Sequence, residues 1–324
     1  MAKRVIVIGS GIIGASAAYH LARAGAEVTV LDAGEPGGVA TRASWAWINA
    51  SWGNPEPYFR LRMRSMAEWR RLQGDVPDVG LDWCGGLIWD LPEPELAAYA
   101  ADRAAWGHPI RRVNRAEILA LEPHLKAVPD HAWHVAEEGK VEPLEAASAL
   151  LAAAVALGAE VMPQTPVRWL EGEDRVTGVM TIDGVIHADE VVVAAGVHTA
   201  DLLDSVGITL KLTAPAGLLA HSQPAPKLLN GLVMTPGLHL RQTAEGRIVA
   251  GTDFAGADPE GDRQALAADL QARVAAQISG AESLSLDFLT VGHRPTPADG
   301  FPAIGRPKNR PGLYAIVTHS GITL

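Results

Sequence analysis

The chain has 324 residues, of which 48% are hydrophobic, and a formal net charge of −10. This length is enough to bury a sizeable core and predicts two domains, whereas the negative charge argues against nucleic acid or an anionic membrane as a partner. The single cysteine, Cys84, excludes an internal disulfide framework and a C-x-x-C metal site, and it favours a reducing compartment, so we expect a cytoplasmic protein. No apolar run reaches the roughly 18 residues that a membrane-spanning helix needs.

The first predicted elements are a strand, a turn, a helix and a second strand. Residues 5–8 (VIVI) are apolar and predict a buried strand, and residues 12–23 repeat small and apolar side chains at helical spacing. The second strand is predicted over residues 27–31 and is followed at once by Asp32. A carboxylate at this point can accept hydrogen bonds from a ribose diol, so the segment predicts a dinucleotide-binding unit.

The turn between the first strand and the helix has the sequence GSGIIG, which fits the spacing G-x-G-x-x-G. Gly9 allows the tight turn, Gly11 lacks the Cβ that would block a pyrophosphate, and Gly14 lets the helix approach the sheet. The helix N-terminus then offers its amide groups to the phosphates. Because nicotinamide and flavin dinucleotides share this unit, the turn alone leaves both open.

The remainder of the chain alternates helical and strand patterns. Residues 35–57 are rich in Gly, Ala, Ser and Pro and predict a long loop, which in a compact domain is usually functional. Helical spacing predicts five further helices, over residues 58–72, 94–106, 114–121, 143–158 and 263–278. A buried strand is predicted over residues 191–195, and strands predominate between residues 211 and 291. The order indicates an α/β chain whose domains interleave in sequence.

Three segments near the middle and end of the chain distinguish the two dinucleotides. They are GVIHADEVVVAAG, in which an apolar strand runs into small residues, GHRPTPADGFPAIGRP, and GLYAIVTHSGITL. The combination R-P-x-x-x-D-G-x-P-x-I-G followed by H-S-G is much more specific than the glycine turn. Together with GSGIIG and the Asp32 strand, these segments resemble the FAD-dependent D-amino-acid-oxidase and glycine-oxidase type of oxidoreductase over essentially the whole chain.

The resemblance implies an α/β fold with two interleaved domains. A Rossmann-like FAD-binding domain would take residues 1–80, 140–210 and 291–324. A β-rich substrate domain, with an antiparallel sheet and helices, would take residues 81–139 and 211–290.

The resemblance also implies which residues hold FAD. The first group is the pyrophosphate turn with the ribose acid and its neighbour, namely Gly9, Ser10, Gly11, Ile12, Ile13, Gly14, Asp32 and Ala33. The second group wraps the phosphates and reaches the adenine and the flavin, namely Thr41, Arg42, Ala43, Ser44, Val167, Ala195 and Gly196. The third group is the turn on the pyrimidine side of the flavin, namely His319, Ser320, Gly321, Ile322 and Thr323. In relatives this turn opens a helix, and since the sequence stops at Leu324 we expect weaker FAD binding than in a longer form.

Three residues are predicted to act on the substrate. Arg294 stands in the R-P element whose arginine grips the substrate carboxylate in many relatives, and a guanidinium can do so through two parallel hydrogen bonds. The alternative for Arg294 is an ion pair with a carboxylate such as Asp299. His239 and Arg241 alternate with Leu240 and should share a strand face. Relatives often place a tyrosine near His239, so a contact with ligand and a structural role both stay open for this histidine.

The resemblance implies oxidation of the Cα–N bond of an amino acid or N-substituted amino acid. Hydride passes from Cα to flavin N5, and water hydrolyses the resulting imine; O2 or another electron acceptor then reoxidises the cofactor. Rival hypotheses are a flavin dehydrogenase that uses a quinone or partner protein, one that oxidises a 2-hydroxy acid, a non-catalytic flavin-binding subunit, and a nicotinamide enzyme. No metal site is predicted, because the pair His131 and His134 has no third ligand in the sequence around it.

Three tryptophans follow the predicted phosphate loop. Trp45, Trp47 and Trp52 could form an apolar wall over the flavin, which would exclude water, or they could pack between the domains. The sequence leaves these two roles open.

Overall fold

The computed structural model describes residues 2–51, 53–108, 110–252 and 261–318. Within these ranges eight α-helices are present: α1 Ile12–Arg23, α2 Val39–Arg42, α3 Glu56–Asp75, α4 Glu93–Ala105, α5 Arg115–Leu121, α6 Pro143–Ala156, α7 Thr199–Asp204 and α8 Arg263–Gln277. The first eleven strands are β1 Arg4–Ile8, β2 Glu27–Leu31, β3 Trp47–Ile48, β4 Leu81–Asp82, β5 Gly86–Ile88, β6 Arg111–Asn114, β7 His131–Val135, β8 Gly139–Val141, β9 Glu160–Met162, β10 Trp169–Glu171 and β11 Gly178–Thr181. The other eleven are β12 Gly184–His187, β13 Glu190–Val193, β14 Leu212–Thr213, β15 Ala216–Ser222, β16 Leu232–Thr235, β17 Leu238–Gln242, β18 Ile248–Gly251, β19 Leu286–His293, β20 Thr296–Pro297, β21 Ala303–Gly305 and β22 Leu313–Val317.

One sheet has six strands in the order β21, β22, β13, β1, β2, β9. All neighbours are parallel except β21, which runs antiparallel to β22. Strand β1 lies in the middle and is buried on both faces: Val5 and Val7 pack in the core with α1 and α6, whereas Ile6 and Ile8 pack on the opposite side with residues of α7. Burial on both faces explains the uninterrupted apolar run of the sequence.

Helices α1 and α6 cover one face of this sheet, and small residues allow them to pack closely. Ala15 and Ala18 of α1 and Ala146 and Ala147 of α6 are all fully buried in the same core. The alanine-rich composition of α6 therefore reflects helix packing rather than a membrane segment. Among the helices in the described ranges, none combines the length and apolar character that a bilayer crossing requires.

The second large sheet has eight strands in the order β19, β15, β18, β17, β16, β5, β7, β6. Its neighbours are antiparallel except β16 and β5, which are parallel. Leu218 and Leu240 on one face pack against Leu270 and Val274 of α8. Val249 and Met234 belong to a different core, which also contains Trp45 and Trp47.

The architecture agrees with the predicted fold class, a Rossmann-like unit combined with a β-rich, largely antiparallel part. The helices predicted from spacing are all present within two or three residues at each end, and β2 spans residues 27–31 as predicted. The long loop after Asp32 contains two short elements that spacing did not predict, α2 and β3. The residue boundaries between the two domains stay a prediction.

Candidate active site

A large cavity lies where the six-stranded sheet meets the eight-stranded one. Its volume is about 1530 Å³, and its lining includes the carboxyl ends of β1, β2, β13 and β22. Strands β15, β17, β18 and β19 of the antiparallel sheet contribute the opposite wall. Ligands of open α/β sheets bind at the carboxyl ends of the strands, and typical small-molecule pockets measure about 300–1,000 Å³. The cavity therefore has room for a dinucleotide and a further small molecule.

The glycine turn forms the end of the cavity beneath α1. Gly9 has a φ of +101°, and a Cβ on it would lie 2.4 Å from the carbonyl oxygen of Ala194. A Cβ on Gly14 would lie 1.8 Å from the carbonyl oxygen of Gly9, so only glycine allows α1 to begin this close to β1. Gly11 lines the cavity, and a Cβ there would lie 3.1 Å from Thr41 Oγ1. These contacts leave a bare backbone cradle at the helix N-terminus, which suits a pyrophosphate.

Asp32 lines the cavity just beyond the end of β2. Its Oδ2 atom accepts hydrogen bonds from the Ser10 amide, at 2.7 Å, and from the Ser10 hydroxyl, at 2.5 Å. Its Oδ1 atom accepts one from the Gly34 amide at 2.9 Å. A carboxylate has about four lone-pair sites, so Asp32 is held in place and retains capacity for a ribose hydroxyl.

The segment that contains α2 folds over the turn. Thr41 Oγ1 accepts a hydrogen bond from the Ile12 amide at 3.0 Å, which ties this segment to the start of α1. On its other side, a Cβ on Gly292 of β19 would lie 2.8 Å from Ala43 Cβ. Residues 41–44 are thereby fixed between the two large sheets, and all four line the cavity.

The structure brings most of the predicted site residues together. Those that line the cavity are Gly9, Gly11, Ile12, Ile13, Asp32, Ala33, Thr41, Arg42, Ala43, Ser44, Val167, Ala195, Gly196, His239 and Arg294. Ser10 and Gly14 do not line it: Ser10 is buried behind the turn, where it holds Asp32, and Gly14 packs on Gly9. His319, Ser320, Gly321, Ile322 and Thr323 lie outside the described residues.

Arg294 follows β19 and contributes its side chain to the cavity. Its backbone amide donates to the Pro215 carbonyl at 3.0 Å, and a Cβ on Gly217 would lie 2.5 Å from Arg294 Nη2, so glycine makes room for the guanidinium. Within the described ranges the guanidinium has neither a hydrogen bond nor an ion pair, and Asp299 instead accepts from the Phe301 amide. Burial lowers the pKa of Arg294. A partly desolvated cation of this kind favours an anionic partner.

His239 and Trp45 lie side by side in the cavity wall. The ring centroids are 6.1 Å apart, and both residues are only 2% exposed. The Nε2 atom of His239 lies 3.4 Å from Oδ2 of Asp90, whose side chain is 4% exposed. The indole N–H of Trp45 is buried and has no hydrogen-bond partner in the described part of the chain. Asp90 was not predicted, because nothing in the local sequence links it to His239.

Arg241 is not among the residues that line the cavity. Its guanidinium makes a two-pronged ion pair with Glu142, with Nη1–Oε1 at 3.0 Å and Nη2–Oε2 at 3.2 Å. The expected contact between Arg241 and a substrate is therefore replaced by a structural pair that joins β17 to the start of α6.

Helix α3 supplies cavity residues that the sequence prediction missed. Tyr58 and Arg62 line the cavity, and Arg62 is buried, which lowers the pKa of its guanidinium. Arg62 Nη1 donates to the Ser51 carbonyl at 3.0 Å. A signal existed in the sequence, because Arg62 falls in phase with the buried Phe59 and Met66 on the helix and not with the exposed arginines.

A buried acid supports this wall from behind. Glu138 Oε1 accepts from the Ala50 amide at 2.9 Å, from the Ser51 amide at 2.8 Å and from the Ser51 hydroxyl at 2.6 Å. The Nε2 atom of His108 lies 3.0 Å from the same oxygen. The carboxylate thus fixes the loop that meets Arg62.

Trp45 and Trp47 belong to the same buried core, and the two roles left open by the sequence stay predictions. Trp45 lines the cavity, whereas Trp47 is fully buried in the core that lies against the eight-stranded sheet. Their rings meet edge to face at 6.2 Å. Trp52 lies outside the described residues.

The strand–turn–helix cradle, the anchored Asp32 carboxylate and the adjoining space in the cavity are features of a dinucleotide-dependent oxidoreductase. Residues 4–324 match the FAD dependent oxidoreductase family, and the chain belongs to it. The cofactor is therefore FAD, which removes the nicotinamide hypothesis, and the resemblance that the motifs indicated is confirmed.

Relatives of known activity align along nearly the entire chain. The glycine oxidase of Pseudomonas putida is 30% identical over an alignment of 346 positions, which covers 98% of this chain and 90% of the relative. The glycine oxidase of Bacillus licheniformis is 29% identical over 330 residues, covering 97% and 88%. The crystal structure of glycine oxidase from Geobacillus kaustophilus superimposes with a TM-score of 0.87 at 24% identity, covering 98% of this chain and 90% of that one. The last comparison shows the shared fold.

Proposed function

We propose that the protein oxidises the Cα–N bond of an amino acid or an N-substituted amino acid. The observation that carries this proposal is Arg294, a partly buried guanidinium in the cavity wall with no ion pair among the described residues. A carboxylate is the partner that a guanidinium binds through two parallel hydrogen bonds. The likeness to two glycine oxidases supports an amino acid as the source of that carboxylate.

The residues at the other end of the cavity would hold FAD. Gly9 and Gly11 leave a backbone cradle that would take the pyrophosphate, Asp32 would accept a hydrogen bond from a ribose hydroxyl, and Thr41 secures the segment that would cover the phosphates. Bound FAD supplies the hydride acceptor for the reaction.

The protein contributes orientation and exclusion of water. Arg294 fixes the substrate through its carboxylate, and such positioning contributes several kcal/mol to the lowering of a barrier. Trp45 and Tyr58 form apolar parts of the wall, so the amine and Cα are held away from bulk water. Arg62, on the α3 side, is a second cation that would meet the substrate side chain or a second carboxylate.

A substrate screen tests the proposal. The purified holoenzyme is mixed under anaerobic conditions with a panel of glycine, D-, L- and N-methyl amino acids and 2-hydroxy acids, and loss of the oxidised-flavin absorbance is followed. We expect bleaching by at least one of the amino acids. Peroxide formation in air then identifies an oxidase, whereas bleaching without peroxide identifies a dehydrogenase with another acceptor. Bleaching by 2-hydroxy acids alone, or by none of the compounds, contradicts the proposal.

A further inference from the structure

Thr290 brings a hydroxyl group to the part of the cavity that the antiparallel sheet forms. It lies in β19 opposite Leu219 of β15, and both residues line the cavity. Two residues further along β19 is Gly292, which lies opposite Gly217. Because successive residues of a strand point to opposite faces, Thr290 and Gly292 belong to the same face of the sheet. This face also carries the guanidinium proposed to bind the substrate carboxylate.

The glycines of this face let the Arg294 side chain extend toward Thr290. A Cβ on Gly217 would lie 2.5 Å from Arg294 Nη2, so the guanidinium lies over Gly217. From Gly292, which is opposite Gly217, the strand reaches Thr290 after two residues, a distance of roughly 6–7 Å. A substrate whose carboxylate is held by Arg294 would therefore have a short side chain within reach of the Thr290 hydroxyl.

The immediate neighbours of Thr290 in the cavity are apolar. Leu219 lies opposite it, and a Cβ on Gly251 would lie 2.8 Å from Leu219 Cδ2, so the leucine side chain leans over this glycine. Leu219 and Gly251 line the cavity together with Thr290. A substrate side chain above this part of the sheet would meet an apolar surface with the Thr290 hydroxyl beside it.

His221 holds this hydroxyl from the side away from the cavity. Its Nε2 atom lies 3.0 Å from Thr290 Oγ1, and it is not one of the described residues that line the cavity. The imidazole is fixed in turn by Phe288, which lies opposite it in the register and stacks on it with ring centroids 4.3 Å apart. Burial lowers the pKa of His221 to about 4, so the ring is neutral at pH 7. The contact uses one of the three hydrogen-bonding positions of a hydroxyl and leaves two for a ligand.

We propose that Thr290 is a specificity-determining residue, which hydrogen-bonds a hydroxyl or amide group on a short substrate side chain, and that His221 is its positioning residue. The substrate class is then a small amino acid with a neutral polar side chain, of which serine is the simplest. A side-chain carboxylate would instead be drawn to the Arg62 cation on α3. This inference rests on the proposed function, because Arg294 must hold the carboxylate for the side chain to reach Thr290.

Two substrates of nearly equal shape test the contact. Serine carries a hydroxyl group where 2-aminobutyrate carries a methyl group. Both are supplied to the holoenzyme in the enantiomer, and with the N-substituent, that the wild type oxidises fastest. The measured quantity is the selectivity ratio, defined as the second-order rate constant of anaerobic flavin reduction by serine divided by that for 2-aminobutyrate.

Substitutions at the two residues should change this ratio by different amounts. Thr290→Val keeps the shape of the side chain but removes the hydroxyl, so the ratio should fall about 2- to 10-fold, the usual net effect of one hydrogen bond. Thr290→Ser keeps the hydroxyl and should retain most of the preference. His221→Gln leaves the hydroxyl present but removes the ring that fixes it, so the ratio should fall by a smaller factor. A general loss of structure would slow both substrates alike and leave the ratio unchanged.

Thr235→Val is the matched control. Thr235 lies in β16 of the same sheet, and its hydroxyl donates to the Leu238 carbonyl at 2.9 Å. It is not among the described residues of the cavity lining. The same substitution at this position should leave the selectivity ratio at the wild-type value.

Several results would overturn the proposal. One is a ratio that does not fall in Thr290→Val, and another is an equal fall in Thr235→Val. Loss of bound FAD in Thr290→Val would show that the hydroxyl serves the cofactor instead. Oxidation of glycine with no oxidation of serine or 2-aminobutyrate would show that no side chain enters this part of the cavity. Absence of bleaching by any amino acid would, by contrast, refute the proposed function itself.

Discussion

Ser10 and Asp32 are joined twice, since the amide and the hydroxyl of Ser10 both donate to the same carboxylate oxygen, Oδ2. This double contact connects the glycine turn after β1 to the acid after β2. The Asp32 carboxylate is therefore held in place by the protein itself, which would reduce the cost of ordering the site if a ribose binds there.

Asp32 should contribute strongly to FAD affinity. Asp32→Ala removes the acceptor proposed for the ribose and also leaves the Ser10 amide without its partner. Hydrogen bonds to a charged group are worth about 1.5–3 kcal/mol, so we expect the Kd for FAD to rise roughly 10- to 100-fold. Fluorescence titration of the apoprotein measures this constant.

Ser10→Ala is the matched comparison, because it removes only the hydroxyl and retains the amide contact to Asp32. Its effect on the Kd should be clearly smaller. Equal Kd values for wild type and Asp32→Ala would show that the ribose is held by other residues.

Gly14 should not tolerate alanine. The added Cβ would lie 1.8 Å from the Gly9 carbonyl oxygen, so α1 must move away from the turn. We expect Gly14→Ala to lose bound FAD and to lower the melting temperature, as measured by flavin absorbance and thermal unfolding.

Gly74 on α3 provides the contrast, since it is exposed and a Cβ there meets nothing within 4 Å. Gly74→Ala should raise the stability by up to about 0.5–1 kcal/mol through helix propensity. A Gly14→Ala protein that retains FAD would show that the helix can shift without loss of the cradle.

The parts of the site that sequence could predict are those whose chemistry is local. Gly9, Gly11, Gly14 and Asp32 are separated by short, fixed spacings within one strand–turn–helix–strand unit, so their relation is set by backbone geometry. Arg294 was predicted from a specific motif, and the structure places it in the cavity.

Contacts between distant segments could not be predicted in this way. His239 and Asp90 are brought together only by the order of strands in the large sheet. Arg241 shares its strand with His239, but whether it meets a ligand or a carboxylate depends on Glu142, which precedes α6. Periodicity describes which face a residue occupies and does not identify what lies opposite.

His221 should make stability depend on pH. Burial, with smaller effects of the nearby Arg241 and Arg247 cations, lowers the pKa of His221 to about 4. The ring stacks on Phe288 at 4.3 Å, and its Nε2 atom lies 3.0 Å from Thr290 Oγ1. Since the folded state disfavours the charged ring, the wild type should lose roughly 1–3 kcal/mol as the pH falls from about 6.5 to 4.

His221→Gln removes the titrating group, so its unfolding free energy should fall less over the same pH range. Urea unfolding at several pH values measures the unfolding free energies of the two proteins. Their difference at each pH cancels the contributions of other titrating groups. Parallel pH profiles would contradict the assignment.

A substitution at Arg241 tests whether its ion pair with Glu142 has a structural role. Arg241 is buried and makes two hydrogen bonds to Glu142, so Arg241→Met leaves a carboxylate without its cation. Loss of one partner of a buried pair typically costs about 3–5 kcal/mol. We expect a lower melting temperature with an unchanged kcat/KM per bound flavin, and a large fall in kcat/KM with unchanged stability would return Arg241 to the substrate site.

Arg294 should control substrate affinity and orientation without holding FAD. Arg294→Ala removes both donors for the carboxylate. We expect kcat/KM to fall by a factor that corresponds to several kcal/mol of transition-state free energy, while the flavin spectrum is retained. Arg294→Lys keeps the charge but cannot form two parallel hydrogen bonds, and it should recover only part of the activity.

A substrate without the carboxylate separates this role from a general effect on the cavity. The wild type should already oxidise slowly the amine that corresponds to the preferred amino acid without its carboxylate. Arg294→Ala should oxidise this amine only a little more slowly, because neither protein can make the contact between Arg294 and a carboxylate with it. Turnover of amino acids by Arg294→Ala at the wild-type rate would mean that the carboxylate is bound by another residue. Arg62 would then be the cation to test, since it lines the same cavity from α3.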